Sequence, residues 1–209
     1  PRSAVERSEL TRREKIPADI FPKVEEGAQA VVDVIEKAIK QKDSEGRMCV
    51  LGLGTGTSLT PIYEEMVKRY ESGQLSFHNV IVFNAYEYYP LKPDDKNSCI
   101  QQLHSRLLDK VDIAPQNIFS PDSTINQNFV LNYCRQYEER INSCGGIDLM
   151  LLGIGRMGNI ATNEPGSSVT STSRLILLDP VAREEMSMSF ASQDLVPPCC
   201  ITMGIATIL

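Results

Sequence analysis

Three short segments each place polar side chains directly after an apolar run. Residues 51–58 read LGLGTGTS. Glycines after a strand let the backbone approach a ligand, and Thr55, Thr57 and Ser58 add hydroxyls beside the free amides of a helix start, a geometry that favours a phosphate. Gly54, Thr55, Gly56, Thr57 and Ser58 are therefore candidate phosphate ligands. The segment is not a Walker A loop, because no Lys follows the glycines, and it lacks the GxGxxG spacing. A merely tight strand-to-helix turn is the alternative reading.

The second segment, FNAYEYYPL at 83–91, again closes an apolar run. Glu87 is a candidate acid or base, and Tyr86, Tyr88 and Tyr89 are candidate hydrogen-bond donors. Against this stands a plainer reading, in which Glu87 is a solvated loop carboxylate and the tyrosines cover a sheet edge. The third segment, LLGIGRMGNIATNEPGSS at 151–168, runs from an apolar strand into Gly153, Gly155 and Gly158 and then Asn163-Glu164-Pro165. Ligands of open α/β sheets sit at the carboxyl ends of strands. Glu164 there is suited to general acid-base work if the loop desolvates it. The alternative has Glu164 capping the next segment while Asn159 and Asn163 pin the loop.

The composition narrows the field. The chain has 209 residues and a formal charge of −6, with 42% hydrophobic and 23% charged residues. That is enough chain for a core without metals or staples. The acidic balance argues against a general nucleic-acid binder, which relies on clustered Lys and Arg. No apolar run reaches the roughly 20 residues needed to span a membrane, no signal peptide is evident, and a cytoplasmic location is expected. The six cysteines form no CxxC pair and read as free thiols acting as small hydrophobes. With two histidines, both outside the Gly-rich loops, no metal site is expected.

The elements that must position these segments alternate. Helical spacing runs from Val24 through Ile39 and stops near Gly46, and a strand spans 48–53. A helix follows with Ile62, Tyr63, Met66 and Tyr70, then a strand at 79–84. A turn-rich stretch leads to a helix bearing Ile100, Leu103, Leu107 and Leu108. A short strand at 117–120 precedes a long helix marked by Phe129, Tyr133, Tyr137 and Ile141. Strands are expected at 147–153 and 174–179, and the last residues read as a helix start. Strands alternating with helices imply an α/β layered domain with a parallel sheet and right-handed crossovers. Residues 1–20 read as a charged arm and 21–209 as one α/β domain whose closing strands are expected beyond Leu209.

Taken in order, the segments resemble the glucosamine-6-phosphate deaminase/isomerase family, which is related to the 6-phosphogluconolactonases. LGLGTGTS is similar to the family's phosphate loop, FNAYEYYPL to its FNxDEYxxL segment, and GGIDLMLLGIGRMGNIATNEPGSS to GGIDLxLxGIGxDGHIAFNEPxSS. The ending ITMGIATIL is similar to TxGxGTLL. NEPGSS points to the deaminase branch. The resemblance implies a three-layer, modified Rossmann-like fold with a mainly parallel sheet, a phosphorylated amino sugar as ligand, and homo-oligomers. The implied reaction takes glucosamine 6-phosphate and water to fructose 6-phosphate and ammonia, with no metal or organic cofactor.

The family's catalytic set carries over only in part. Its proton-shuttling Asp falls at Tyr86, with Glu87 retained beside it. Its ring-opening His falls at Asn159, and one carboxylate supporting that His falls at Met157. Only Glu164 of that triad remains. The family's phosphate-holding Arg falls at Met188, with Arg183 or Arg156 as substitutes. A phenol is a poor base at neutral pH, and an amide transfers no proton. The expectation is a remodelled deaminase/isomerase in which Glu87 or Glu164 is the base, Tyr86 and Asn159 bind sugar hydroxyls, and Arg156 and Asn163 join the phosphate loop in holding the ligand. The alternative is a catalytically silent sugar-phosphate sensor. A lactonase fits NEPGSS poorly.

Overall fold

The computed structural model describes residues 16–187 and 190–209. Residues 1–15 of the expected arm, and Met188, lie outside the described residues. Apolar residues three and four apart fold Val24–Ser44 into helix α1, which buries Ala28, Val32, Ile35 and Ile39 on one face. Strand β1, Cys49–Leu53, is buried at every residue, as a central parallel strand covered on both faces must be. Helix α2, Thr60–Glu71, starts with Pro61 in its first turn, where a missing amide hydrogen costs nothing. Strand β2, Val80–Asn84, follows.

Strands β4, Ile118–Phe119, and β5, Leu149–Leu151, complete a four-stranded sheet in the order β4-β2-β1-β5. Every pairing in it is parallel, with Cys49 opposite Val80, Leu51 opposite Leu149 and Val82 opposite Ile118. Cys49, Leu51 and Leu53 face a core built with Val32, Ile35 and Ile39 of α1, Tyr63 and Met66 of α2, and Leu103 of helix α3, Cys99–Arg106. The opposite face carries Val50 and Phe83, packed on Tyr137 and Ile141 of helix α4, Val130–Ser143. This is the three-layer α/β arrangement expected from the sequence.

A second sheet stands beside the first. Strands β3 (Tyr86–Tyr89), β6 (Arg174–Leu177) and β7 (Cys199–Thr202) form an antiparallel sheet in the order β3-β7-β6. Tyr86 pairs with Thr202, and Arg174 with Thr202 from the other side. The chain crosses from one sheet to the other at Ala85, whose amide donates to the Leu53 carbonyl at 2.8 Å and whose carbonyl accepts from the Met203 amide at 2.9 Å. Residues 86–89, read from sequence as part of a turn-rich stretch, are thus a strand.

Several boundaries also move. The 147–153 strand contracts to Leu149–Leu151. Phe129 is 62% exposed, and Val130 takes its place on the buried face of α4. Helix α5, Pro180–Met186, was absent from the sequence reading. It begins at Asp179, whose side chain caps the Val181 amide at 2.8 Å. Helix α6, Ile205–Ile208, follows β7.

All six cysteines are free. Burial pushes the Cys49 and Cys134 thiols up to about 11, so at neutral pH they are inert apolar filler. Between α1 and α2, the nearly buried Arg69 guanidinium pairs with Asp33 at 2.7 Å, Glu36 at 2.7 Å and Glu65 at 3.0 Å. No helix is long and apolar enough to cross a membrane among the described residues.

Candidate active site

The carboxyl ends of β1 and β5 and the start of β3 surround a cavity of about 280 Å³. Its walls are the loop Gly54–Ser58, Tyr86 and Tyr88, the turn Leu152–Gly155 with Asn159 and Ala161, Gln102 of α3, and Glu185 and Met186 of α5. A larger recess of about 500 Å³ lies along α4 and β4. It has none of the loop amides and hydroxyls that converge on the strand-end cavity, which is where a parallel sheet places its ligands.

The loop after β1 is fixed from outside the cavity. The Gly54 amide donates to the Leu151 carbonyl at 3.0 Å, and the Tyr63 hydroxyl donates to the Gly54 carbonyl. Arg106 donates to the Thr55 carbonyl at 2.7 Å while its other nitrogen holds Gln102 at 3.0 Å. With its carbonyls tied back in this way, the loop enters a 3-10 turn at Thr57–Leu59 that runs into α2. Among the described residues the amides from Thr55 to Ser58 have no backbone acceptor. A helix entrance with free amides and the hydroxyls of Thr55, Thr57 and Ser58 has the chemistry that suits an anion.

Tyr86 lies against this cradle, and its hydroxyl oxygen accepts from the Thr55 hydroxyl at 2.9 Å. Burial, first among the causes, raises the Tyr86 phenol well above its ordinary range, so at neutral pH it is a neutral hydrogen-bonding group. Its ring stands edge-on to Tyr88, which in turn meets Phe190 edge-on at 5.3 Å.

Glu87 points away from the cavity. It is 1% exposed, and its carboxylate accepts from the Tyr88 amide at 3.0 Å, the Ser98 hydroxyl at 2.9 Å, the Cys99 amide at 2.8 Å and the Ile100 amide at 2.9 Å. Burial pushes its pKa up, and these four donors pull against that. A carboxylate with both oxygens so engaged holds the start of α3 against β3. It is neither the free base nor the solvated loop residue that the sequence suggested.

The glycine-bent loop closes on the Asn159 backbone. The Gly155 amide donates to the Asn159 carbonyl at 2.9 Å, and the Asn159 side chain donates to the Ala161 carbonyl at 3.3 Å. A Cβ on Gly155 would fall 2.2 Å from the Asn159 side-chain oxygen, so the glycine lets that amide lie over the turn. Gly158, at φ +77°, supplies the left-handed residue of the turn. Asn159 reaches the cavity wall. Asn163, named from sequence as a ligand-holding residue, turns inward. It is 3% exposed and donates to the carbonyls of Met203 at 2.9 Å and Ile160 at 3.1 Å, which pins the loop to the end of β7.

Glu164 lines an adjoining cavity of about 350 Å³ with Met157, Asn159, Asp179 and Glu185, and accepts from the Asp179 amide at 3.0 Å. Asn159 and Glu185 are common to both cavities. Neither cationic substitute lines the strand-end cavity. Arg156 is exposed and pairs with Glu185 at 3.4 Å. Arg183 donates to the carbonyls of Val196 at 2.9 Å and Gln193 at 3.2 Å. Sequence reasoning missed Glu185 and Gln102. The Asp179-Pro180 helix start could have flagged the short α5 that carries Glu185.

A parallel sheet layered between helices, with a glycine-and-hydroxyl loop after its first strand and a glycine-bent loop after its last, defines an α/β domain with a cavity at the sheet's carboxyl edge. The chain belongs to the family of glucosamine-6-phosphate isomerases and 6-phosphogluconolactonases, whose sequence model matches residues 22–191. It is 53% identical over all 209 residues to a putative glucosamine-6-phosphate deaminase-like protein of Bacteroides thetaiotaomicron. The chain spans about a third of that relative, 32% of its length. It is 38% identical over 185 residues to the glucosamine-6-phosphate deaminase of Geobacillus sp. (strain WCH70), covering 88% of this chain and 71% of that protein. Among solved structures, a monomeric glucosamine-6-phosphate deaminase superposes with a TM-score of 0.85 at 34% identity, over 90% of this chain and 76% of that one. The 6-phosphogluconolactonase of Leishmania guyanensis superposes at 0.67 with 19% identity, over 91% of this chain and 76% of that one, a likeness of fold.

Proposed function

We propose that this chain binds an amino-sugar phosphate in the strand-end cavity and acts on it as a glucosamine-6-phosphate deaminase with a remodelled site. The observation that carries the reading is the cradle at Thr55–Ser58, with its free amides turned to the cavity by ties on the far side from Arg106 and Tyr63. Thr55, Gly56, Thr57 and Ser58 hold the phosphate, and Tyr86, Asn159 and Gln102 bind sugar hydroxyls. Because Glu87 is consumed in holding α3, the proton-moving role falls to Glu164, which stands next to Asn159. Loss of a general acid-base group typically removes about two to four orders of magnitude in rate, so turnover is slow relative to family members that keep the Asp and His.

A specific observation also favours a second reading, binding without turnover. Tyr86 and Asn159 stand where the family has its shuttle and ring-opening groups, and Tyr86 is already joined to Thr55. Ammonia release from glucosamine 6-phosphate by the full-length protein separates the two. The deaminase reading expects release that Glu164→Gln abolishes while thermal stabilisation by the ligand persists. Stabilisation with no ammonia from the unaltered protein selects the sensor. The homo-oligomer expected from the resemblance is tested by sedimentation; the solved deaminase with the 0.85 superposition is described as monomeric.

A further inference from the structure

The strand-end cavity has an unusual charge balance for a phosphate site. Among its described lining residues no Lys or Arg appears, and the one formal charge is the carboxylate of Glu185. Arg106 lies behind the loop, engaged with the Thr55 carbonyl and Gln102. A lone carboxylate facing an anion cradle across a small cavity repels a phosphate. It is tolerable only if the ligand brings its own cation.

Glu185 is poised for such a cation. Its Oε1 is buried and makes no hydrogen bond among the described residues; its ion-pair contact is the Nε of Arg156 at 3.4 Å, long for a hydrogen bond. The side chain is 31% exposed. Its ion-pair partner, Arg156, is 3.4 Å away on a side chain that is itself 79% exposed, and an exposed pair of this kind is a weak tie. Glu164 and Asp179 line the adjoining cavity with Glu185, so three carboxylates border that end. The cavity therefore has two poles, with amides and hydroxyls at Thr55–Ser58 and a carboxylate at Glu185.

We propose that Glu185 is the specificity-determining residue that reads the ammonium of a 2-amino sugar phosphate, selecting it over the same sugar phosphate with a hydroxyl or an acetamide in its place. This rests on the sugar-phosphate reading of the cavity. An ammonium offers three donors, enough to replace the long Arg156 contact on Oε1. Its positive charge offsets the repulsion between Glu185 and the phosphate. A neutral acetamide or hydroxyl leaves that repulsion in place.

The test is isothermal titration of the full-length protein with glucosamine 6-phosphate, N-acetylglucosamine 6-phosphate, glucose 6-phosphate and inorganic phosphate. The unaltered protein is expected to bind glucosamine 6-phosphate about tenfold or more tighter than the other two sugar phosphates. Glu185→Gln, nearly isosteric on a half-exposed helix position, is expected to bring the three within about twofold, with glucose 6-phosphate bound as well as before or better. Glu185→Asp keeps the charge and is expected to retain a reduced preference. If the preference is missing in the unaltered protein, or survives Glu185→Gln, the assignment of Glu185 is overturned while the phosphate cradle stands. If none of the four ligands binds, the sugar-phosphate reading falls and Glu185 falls with it.

Discussion

Replacing Glu87 by Ala removes one side chain and strands four donors. The amides of Tyr88, Cys99 and Ile100 and the Ser98 hydroxyl all lose their acceptor in a region that water does not reach. Each hydrogen bond to a charged group contributes about 1.5–3 kcal/mol, and a stranded buried donor bears its full desolvation cost. The four are not additive, because they share one carboxylate and recovering its burial penalty offsets part of the loss. A net destabilisation of about 3–5 kcal/mol is expected, the range for breaking a buried charged network. For a chain of this size that lowers Tm by about 2–4 °C per kcal/mol. Glu87→Gln keeps an acceptor oxygen for the Tyr88 and Cys99 amides, but its NH2 then faces both the Ile100 amide and the Ser98 hydroxyl, and only the hydroxyl can reverse. The Gln variant should therefore lose about half as much. Urea unfolding followed by circular dichroism measures both. A Glu87→Ala variant that unfolds with the unaltered protein would refute the claim that this carboxylate holds α3 to β3. It would also reopen Glu87 as a free catalytic group.

Two other perturbations probe the scaffold and the turn. Glu36 and Glu65 are held below the ordinary carboxylate value of 4.5: burial alone would raise them, but hydrogen bonds from Lys40 and Arg69 to Glu36, and from Arg69 and Lys68 to Glu65, outweigh it. Depressed carboxyls contribute stability that is complete above their unfolded value and lost as pH falls through the folded one. Arg69→Met should cost about 2–3 kcal/mol at neutral pH, less than a fully buried pair because Asp33 is exposed. It should also flatten the fall in stability below pH 4.5, as read by thermal melts across pH. Gly155→Ala drives a methyl into the Asn159 side chain. The expected cost is about 1–3 kcal/mol from overpacking, with weakened glucosamine 6-phosphate binding; an unchanged titration would show that Asn159 is not held for the ligand.

The α/β architecture was legible because it rests on local periodicity. Val32, Ile35 and Ile39 repeat at helical spacing, and Cys49–Leu53 is apolar without interruption, so α1 and β1 could be read directly. Of the second sheet only the strand at Arg174–Leu177 was legible, and the other two were not for a physical reason. The strand at 86–89 carries a buried carboxylate at Glu87, whose partners come from residues 98–100, and no local pattern announces a charge satisfied at that distance. Its partner strand, Cys199–Thr202, is four residues long and gains its pairing from Tyr86–Tyr89 and Arg174–Leu177, both remote in sequence. Within the site, the Thr55–Ser58 loop was visible from its glycines and hydroxyls. Glu185 was not, because its meaning depends on which cavity α5 happens to border. Of the two readings of Asn163, ligand holder or loop pin, the structure shows the pin; sequence shows the amide but not the Met203 carbonyl it meets.

The ties that shape the cavity come from behind its walls. Arg106 and Tyr63 fix one loop, Glu87 fixes the helix that delivers Gln102, and the Asn163 amide fixes the other loop to β7. None of these four residues lines the strand-end cavity. The lining is accordingly a set of replaceable fittings on a frame that does not depend on them. Side chains such as Tyr86 and Asn159 can change while the loops keep their course. Mutational libraries confined to Tyr86, Gln102, Asn159 and Glu185 should yield mostly folded proteins with divergent ligand preferences, whereas the same diversity at Tyr63, Glu87, Arg106 or Asn163 should yield mostly unfolded ones.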